Sequence, residues 1–282
     1  MIEVISILGA GTMGHGIAQV AAMAGYQVYL YDIKEEFVSK GLASITNNLD
    51  KGVEKGKVTS EARNQALAKI KTTTNLSEAA KPAHLVIEAV PESLDLKQSI
   101  FTQLDEFCSP SSILATNTSS LSIKDIAVAT KRPQLVLGMH FFNPVHIMKL
   151  LEIVHTNETS QETIEAVLEV SRKLGKEPIL VKDSPGFASS RLGITLGLEA
   201  MRMLEQGVAS AADIDKAMEL GYNHPMGPLK LTDLVGLDIR LNIADYLYST
   251  LESEVFRAPE ILRQKVAEGK LGKKSGEGFY KW

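Results

Sequence analysis

The sequence predicts an α/β protein: a mostly parallel sheet over residues 1–183, interrupted by a helical hairpin at 34–71, then an all-α domain over 184–282. Three observations carry this. Short apolar runs alternate with helical segments as far as residue 181, the order of a parallel sheet with crossover helices. A Gly9-x-Gly11-x-x-Gly14 turn joins the first apolar run to the first helix. Beyond Asp183 the strand signals stop and helical periodicity alone remains.

Residues 2–8, IEVISIL, read as the first strand, and the glycine triplet follows at once. Ile17, Val20, Ala21 and Ala24 keep helical spacing to a cap at Gly25, and a second strand at 27–31 ends in Asp32. Strand, triplet, helix, strand and terminal acid together define a Rossmann-like dinucleotide unit. Gly9 permits the tight turn, Gly11 lets backbone approach a pyrophosphate, and Gly14 lets the helix pack on the sheet. The helix N-terminus receives the phosphates. Asp32 accepts from ribose hydroxyls and repels a 2'-phosphate, which favours NAD over NADP.

The hairpin is read from Val38, Leu42, Ile45, Leu49 and Val53 at helical spacing, with Thr59 or Ser60 capping a second helix. Lys51, Lys55 and Lys57 cluster near its tip as either a solvated basic turn or a phosphate clamp. The alternation resumes with a strand at 84–90, then Glu92, a helix at 94–107, and a strand at 113–116 running into Asn117, Thr118, Ser119 and Ser120. Ligands of open α/β sheets collect beyond the carboxyl ends of the strands. Glu92, Asn117 and Ser119 lie at such ends, although each could instead be a turn or capping residue.

Residues 135–139 and 147–154 read as two strand-like runs about Asn143-Pro144. An antiparallel pair centred near residue 146 sets His140 opposite Glu152. A carboxylate beside an imidazole fixes its tautomer and stabilises the imidazolium formed when the ring takes a proton, so the pair reads as a general base with its orienter. A helix at 161–174 and a last strand at 178–181 follow, then helices at 187–205, 211–220, 237–251 and 260–268. Small residues along 188–197 permit close helix packing and a subunit interface.

Hydrophobic residues make up 44% and charged ones 23%, so neither disorder nor a membrane protein is expected. A net charge of -4 argues against a nucleic-acid binder and leaves any anionic ligand to local groups. Cys108 is the single cysteine, which excludes an internal disulfide and a thiolate cluster. His146, His155 and His224 lack metal-ligand spacing, so no metal is expected. The first strand leaves no room ahead of it for a signal peptide, and the expected location is cytoplasmic.

The motifs NTSSL at 117–121, GMHFFNP at 138–144, MKLLEI at 148–153, DSPGF at 183–187, MGP at 226–228 and GEGFY at 276–280 run through nearly the whole chain. In this combination the chain resembles the L-3-hydroxyacyl-CoA dehydrogenase family, and its shorter bacterial 3-hydroxybutyryl-CoA dehydrogenases most. The resemblance implies that His140 is the catalytic acid/base, Glu152 its partner, and Ser119 a hydrogen-bond donor to the substrate oxygen. It implies NAD contacts at Gly9, Gly11, Thr12, Met13, Gly14, Asp32, Ala89, Glu92, Lys97, Asn117, Ser119, Asn143 and Lys274. It assigns an acyl-CoA substrate to Ser119, Asn143, Lys51 and Lys55, and a homodimer to the C-terminal helices. One departure concerns a further catalytic position: the family pattern GF-x-x-N-R reads GFASSR here, with Ser190 in place of asparagine, which bears on acyl-chain preference. Two rival readings are a dehydrogenase of a free hydroxy acid or polyol, L-gulonate for example, and a non-catalytic NAD-binding protein of the lens-crystallin kind.

Overall fold

The computed structural model describes residues 2–282 and divides the chain into two compact units, Met1–Ser184 and Pro185–Trp282. In the first, β1 (Val4–Leu8), α1 (Thr12–Met23) and β2 (Gln27–Tyr31) are followed by α2 (Glu35–Glu54) and α3 (Ser60–Ala68). Then come β3 (Ile70–Thr73), α4 (Leu76–Ala80), β4 (Leu85–Glu88), α5 (Leu94–Phe107), β5 (Ile113–Thr116) and α6 (Ile123–Ala127). The unit closes with β6 (Val136–Phe141), β7 (Leu150–His155), α7 (Gln161–Lys173) and β8 (Glu177–Lys182).

The strands form one sheet in the order β3-β2-β1-β4-β5-β6-β7-β8. Every neighbouring pair is parallel except β6 with β7. The chain leaves β1 toward β2 on one side and returns to β4 on the other, so the crevice between the ends of β1 and β4 is the switch point where such sheets bind ligands. Ile5, Ile7, Leu30, Leu85, Ile87, Leu137 and Ile153 are fully buried in the core of this unit.

The inserted hairpin is α2 and α3. Val38, Gly41, Ile45 and Leu49 form the buried stripe of α2. A Cβ on Gly41 would come within 2.8 Å of the Ala10 carbonyl oxygen, so glycine lets α2 lie close against the β1–α1 turn. Thr59 caps α3 by accepting from the Ala62 N–H at 3.1 Å.

Several boundaries differ from the sequence expectation, three of them by enough to matter here. The hairpin helices end at Ala68, because Ile70–Thr73 pairs in parallel with β2. This edge strand has only Thr73 buried, and its IKTT sequence lacks the apolar run that marks a central strand. The first strand begins at Val4, and β7 begins at Leu150. Ile147 and Met148 are exposed in the turn between β6 and β7, which the buried Lys176 holds by donating to the carbonyl oxygens of Val145 and Met148.

The second unit comprises α8 (Ser189–Glu205), α9 (Ala211–Gly221), α10 (Pro228–Val235), α11 (Leu237–Leu251) and α12 (Glu260–Ala267). The sequence reading lacked α10, which begins with Pro228 in the first-turn position where a missing N–H costs nothing. Ile194, Leu198, Met201, Leu229, Leu237, Ala244 and Leu247 make its core. Buried Asp233 gathers the chain end, accepting from the Phe279 and Tyr280 N–H groups and from Trp282 Nε1. No helix among the described residues is long and apolar enough to cross a membrane.

Candidate active site

A cavity of about 770 Å³ opens at the switch point, lined by Gly9, Gly11, Thr12, Met13, Asp32 and Ala89 among others. Gly9 has φ +97°, and a Cβ there would meet the Ala89 carbonyl oxygen at 2.6 Å. Gly14 makes room for the Gly9 carbonyl oxygen, which a Cβ would approach to 1.7 Å, so the third glycine fits α1 to the turn itself more than to the sheet. Nothing lies within 4 Å of the place a Cβ on Gly11 would occupy, and Gly11 begins α1 without a side-chain cap. A helix start with unsatisfied N–H groups and an open face of backbone fits a dinucleotide pyrophosphate. Asp32 Oδ2 accepts from the Ala10 N–H at 2.8 Å and Oδ1 from the Ile33 N–H at 2.7 Å, which fixes the carboxylate at the rim of the same cavity. These residues fit NAD.

Glu92, Lys97, Asn117, Ser119 and Asn143 do not line that cavity. Glu92, Lys97 and Ser119 form a connected network at the ends of β4 and β5. Glu92 Oε1 accepts from Thr118 Oγ1 at 2.6 Å, from the Ser119 N–H at 3.0 Å, and from the Ser119 and Ser120 hydroxyls at 3.2 Å. Burial pushes the Glu92 carboxyl upward, but the Thr118 hydroxyl, the Lys97 charge and the Ser119 and Ser120 donors outweigh it and hold the group below its ordinary value. Lys97 is buried, with Nζ 2.6 Å from Glu88 Oε1 and 3.6 Å from Glu92 Oε2. Its link to the site therefore runs through Glu92.

Asn117 Oδ1 accepts from the Phe141 N–H at 2.9 Å, which ties the loop after β5 to the end of β6 next to His140. The antiparallel register pairs His140 with Glu152 across β6 and β7, and Nδ1 lies 2.7 Å from Glu152 Oε2. Glu152 is fully buried and His140 is 7% exposed. With Nδ1–H donating to the carboxylate, the proton-accepting position of the ring is Nε2. The Phe142 ring packs on the imidazole at 4.5 Å between centroids. Asn143 is exposed in the following turn, at a cis Asn143–Pro144 peptide.

Lys51, Lys55 and Lys57 line a second cavity of about 670 Å³ in the same unit, together with Asn48, His146 and Lys173. The His146 ring is held below its ordinary pKa by burial, then by the charges of Lys176 and His15, so this wall is neutral at pH 7 and the lysines supply the positive field. Ser190 and Lys274 belong to the other unit. Ser190 sits in the first turn of α8, and Lys274 pairs with Asp238 at 2.6 Å. Among the described residues no group of acidic, histidine or cysteine side chains could hold a metal ion.

Sequence reasoning missed Glu88 and Lys176. Glu88 Oε1 and Oε2 accept from Lys97, the Val90 N–H and Thr116 Oγ1, and the signal was an acid inside the buried run HLVIEAV. Lys176, just past the Gly175 cap, carries no local sign of the distant turn that it secures.

Residues 4–184 match the family model "3-hydroxyacyl-CoA dehydrogenase, NAD binding domain", and residues 186–282 match "3-hydroxyacyl-CoA dehydrogenase, C-terminal domain". A probable 3-hydroxybutyryl-CoA dehydrogenase of Bacillus subtilis is 45% identical over 279 residues, 99% of this chain and 97% of the relative. A 3-hydroxybutyryl-CoA dehydrogenase of Clostridioides difficile is 44% identical over 98% of each chain. The crystal structure of (S)-3-hydroxybutyryl-CoA dehydrogenase from Ralstonia eutropha superposes with a TM-score of 0.97 at 42% identity, covering 100% of this chain and 99% of that one.

Proposed function

The chain belongs to the 3-hydroxyacyl-CoA dehydrogenase family as an NAD-dependent enzyme, and we propose that it catalyses the reversible oxidation of short-chain L-3-hydroxyacyl-CoA, including 3-hydroxybutyryl-CoA, to the 3-oxoacyl-CoA. The observation that carries this reading is the buried His140–Glu152 pair at 2.7 Å. His140 Nε2 takes the proton of the 3-hydroxyl and returns it in the reverse direction. Glu152 holds the ring in the tautomer that leaves Nε2 basic and stabilises the imidazolium that forms. NAD, when bound, supplies the acceptor for the hydride that leaves C3. Ser119 steadies the oxygen as charge develops, its hydroxyl turning from Glu92 to the substrate. Glu92 orients Ser119, and Lys97 with Glu88 fixes Glu92.

In this reading the glycine turn, Asp32 and Ala89 hold the adenosine and pyrophosphate half of NAD. Glu92, Asn117, Ser119, Asn143 and Lys274 serve the nicotinamide half. Lys51 and Lys55, in the lysine-lined cavity, take the phosphates of coenzyme A. Ser190 adjusts the acyl end. The C-terminal helices form a homodimer, for which Leu192, Leu220 and Tyr222, each more than 70% exposed, supply apolar surface. The enzyme works in the cytoplasm.

The test is the rate of NADH loss with acetoacetyl-CoA, beside free acetoacetate and with NADPH in place of NADH. Rapid loss is expected for NADH with the CoA ester alone. His140→Ala is expected to lower kcat by about a thousandfold while NAD binding survives. Turnover of free acetoacetate at the same rate would overturn the acyl-CoA assignment, and equal loss of binding and turnover would overturn the role of His140.

A further inference from the structure

His15 lies one turn beyond Gly11, at the same end of α1 as the N–H groups that open the helix, and it lines the cavity at the switch point. Its Nδ1 is 2.8 Å from the Gly11 carbonyl oxygen. A carbonyl only accepts, so Nδ1 carries the hydrogen and donates, which fixes the tautomer. The helix has no need of this bond, because the same oxygen already accepts the His15 backbone N–H at 3.1 Å. Its effect is to hold the half-buried ring against Gly11, the glycine whose backbone is open to the cavity. Nε2 has no hydrogen-bond partner among the described residues.

The ionisable groups around the ring are few. Tyr31, Asp32 and Lys40 line the same cavity, and Asp32, the one acid among the described residues that line it, has both oxygens on backbone N–H groups. A Cβ on Gly16 would come within 2.9 Å of the Val145 side chain, so the turn after β6 packs on α1 beside His15. That turn brings His146, which feels the charges of His15 and Lys176. Of the side chains lining the cavity, only an imidazole ordinarily gains a proton between pH 8 and 5. The Tyr31 phenol is pushed still higher, by burial and then by the Asp32 charge.

A pyrophosphate on the open backbone of Gly11 brings two negative charges to a cavity that already holds Asp32. The helix N-terminus offsets part of this charge. A neutral ring with its hydrogen on Nδ1 presents a lone pair at Nε2, which repels a phosphate oxygen. The protonated ring presents a second N–H donor and a positive charge instead. We propose that His15 binds the dinucleotide pyrophosphate, donating from Nε2 as the imidazolium, so that the cofactor binds together with a proton. This rests on the placement of NAD given above. Oxidised and reduced cofactors carry the same pyrophosphate, so the contact favours both alike and acts on KM, leaving kcat to His140 and its partners.

The experiment titrates the whole protein with ADP-ribose, which keeps the pyrophosphate and lacks the nicotinamide. Calorimetry in buffers of different ionisation enthalpy counts the protons bound. Near pH 7 the wild type is expected to take up about half a proton per ligand, and its affinity to rise about fivefold from pH 8 to pH 6. His15→Ala is expected to abolish both effects. His15→Gln, whose amide donates without titrating, is expected to bind with an affinity that does not change over this range. His146→Ala is expected to keep the uptake. In turnover of acetoacetyl-CoA, the loss in His15→Ala should fall on the KM for NADH and not on kcat. Binding of ADP-ribose to the wild type without proton uptake overturns the proposal. Uptake that persists in His15→Ala and disappears in His146→Ala assigns the proton to the neighbouring ring and overturns it too. Failure of both ADP-ribose and NADH to bind removes the placement of NAD itself, whereas binding without the proton removes the role of His15 alone.

Discussion

Lys97 and Arg240 are cations buried to nearly the same degree, 1% and 8% exposed, in opposite surroundings. The Lys97 ammonium lies 2.6 Å from Glu88 Oε1 and 3.4 Å from the Val90 carbonyl oxygen. Glu88 in turn accepts from the Val90 N–H and Thr116 Oγ1, each at 2.7 Å. Every group in that cluster has its complement. Arg240 has none among the described residues. A buried charge with complete partners is explained by the fold, since the pair and its donors hold the ends of β4 and β5 in place. A buried charge without them is held by the surrounding packing against its own desolvation cost.

The sharpest way to break the comparison is to remove each cation. Lys97→Met leaves Glu88 fully buried without its counter-charge, and a loss of about 3–5 kcal/mol in unfolding free energy is expected. Adding Glu88→Gln should restore much of it, because the uncompensated charge is then gone. Arg240→Met removes a charge that has no partner to strand, so its stability is expected to equal or exceed that of the wild type. Urea unfolding of the four proteins measures both signs. A large loss for Arg240→Met would mean that the packing of its aliphatic stem accounts for its place in the core.

Glu92 sharpens the same contrast through pH. Its carboxyl is held below its ordinary value, so the ionised group adds stability that is fully present above the unfolded pKa of about 4.3 and is lost as pH falls through the lower folded value. Between pH 7 and 5 the wild type and Glu92→Gln should therefore show parallel stability. Below about pH 4.3 the wild type should lose stability faster, because it takes up a proton on unfolding that the variant does not. Parallel curves down to pH 3 would mean that the Thr118, Ser119 and Ser120 donors bind the neutral acid as well as the carboxylate.

Local pattern made the dinucleotide unit legible, because the glycine triplet and Asp32 lie within one βαβ segment. The facing of His140 and Glu152 was legible for the same reason: two runs about one turn leave few registers. Ile70–Thr73 was not, since an edge strand that is polar at all but its first residue has no period of its own and is defined by its pairing with β2. The family resemblance named Lys97 as an NAD contact, but its ion pair with Glu88 had no local signal, because it depends on how α5 meets β4. Arg240 left a trace, as an arginine within a Leu237, Ala244, Leu247 stripe, but long arginines commonly reach solvent from such positions. Packing against Gly193 separates the two cases.

The smallest expected effect lies at the opposite end of the burial scale. Lys149 Nζ is 3.5 Å from Glu177 Oε1 across the β7–β8 pair, and both side chains are 75% exposed. Their attraction is screened by water and salt, and holding two long side chains in one geometry costs rotamer entropy. Lys149→Met should shift the urea midpoint by less than about 1 kcal/mol equivalent, and raising the salt concentration should change the wild type no more than the variant. The Lys97–Glu88 separation is shorter by less than an ångström, 2.6 against 3.5 Å, so distance alone would rank the two pairs close together. Burial and the completed shell of donors around Glu88 are what should set them several kcal/mol apart. A loss at Lys149 comparable to that at Lys97 would remove burial as the deciding variable between the two pairs.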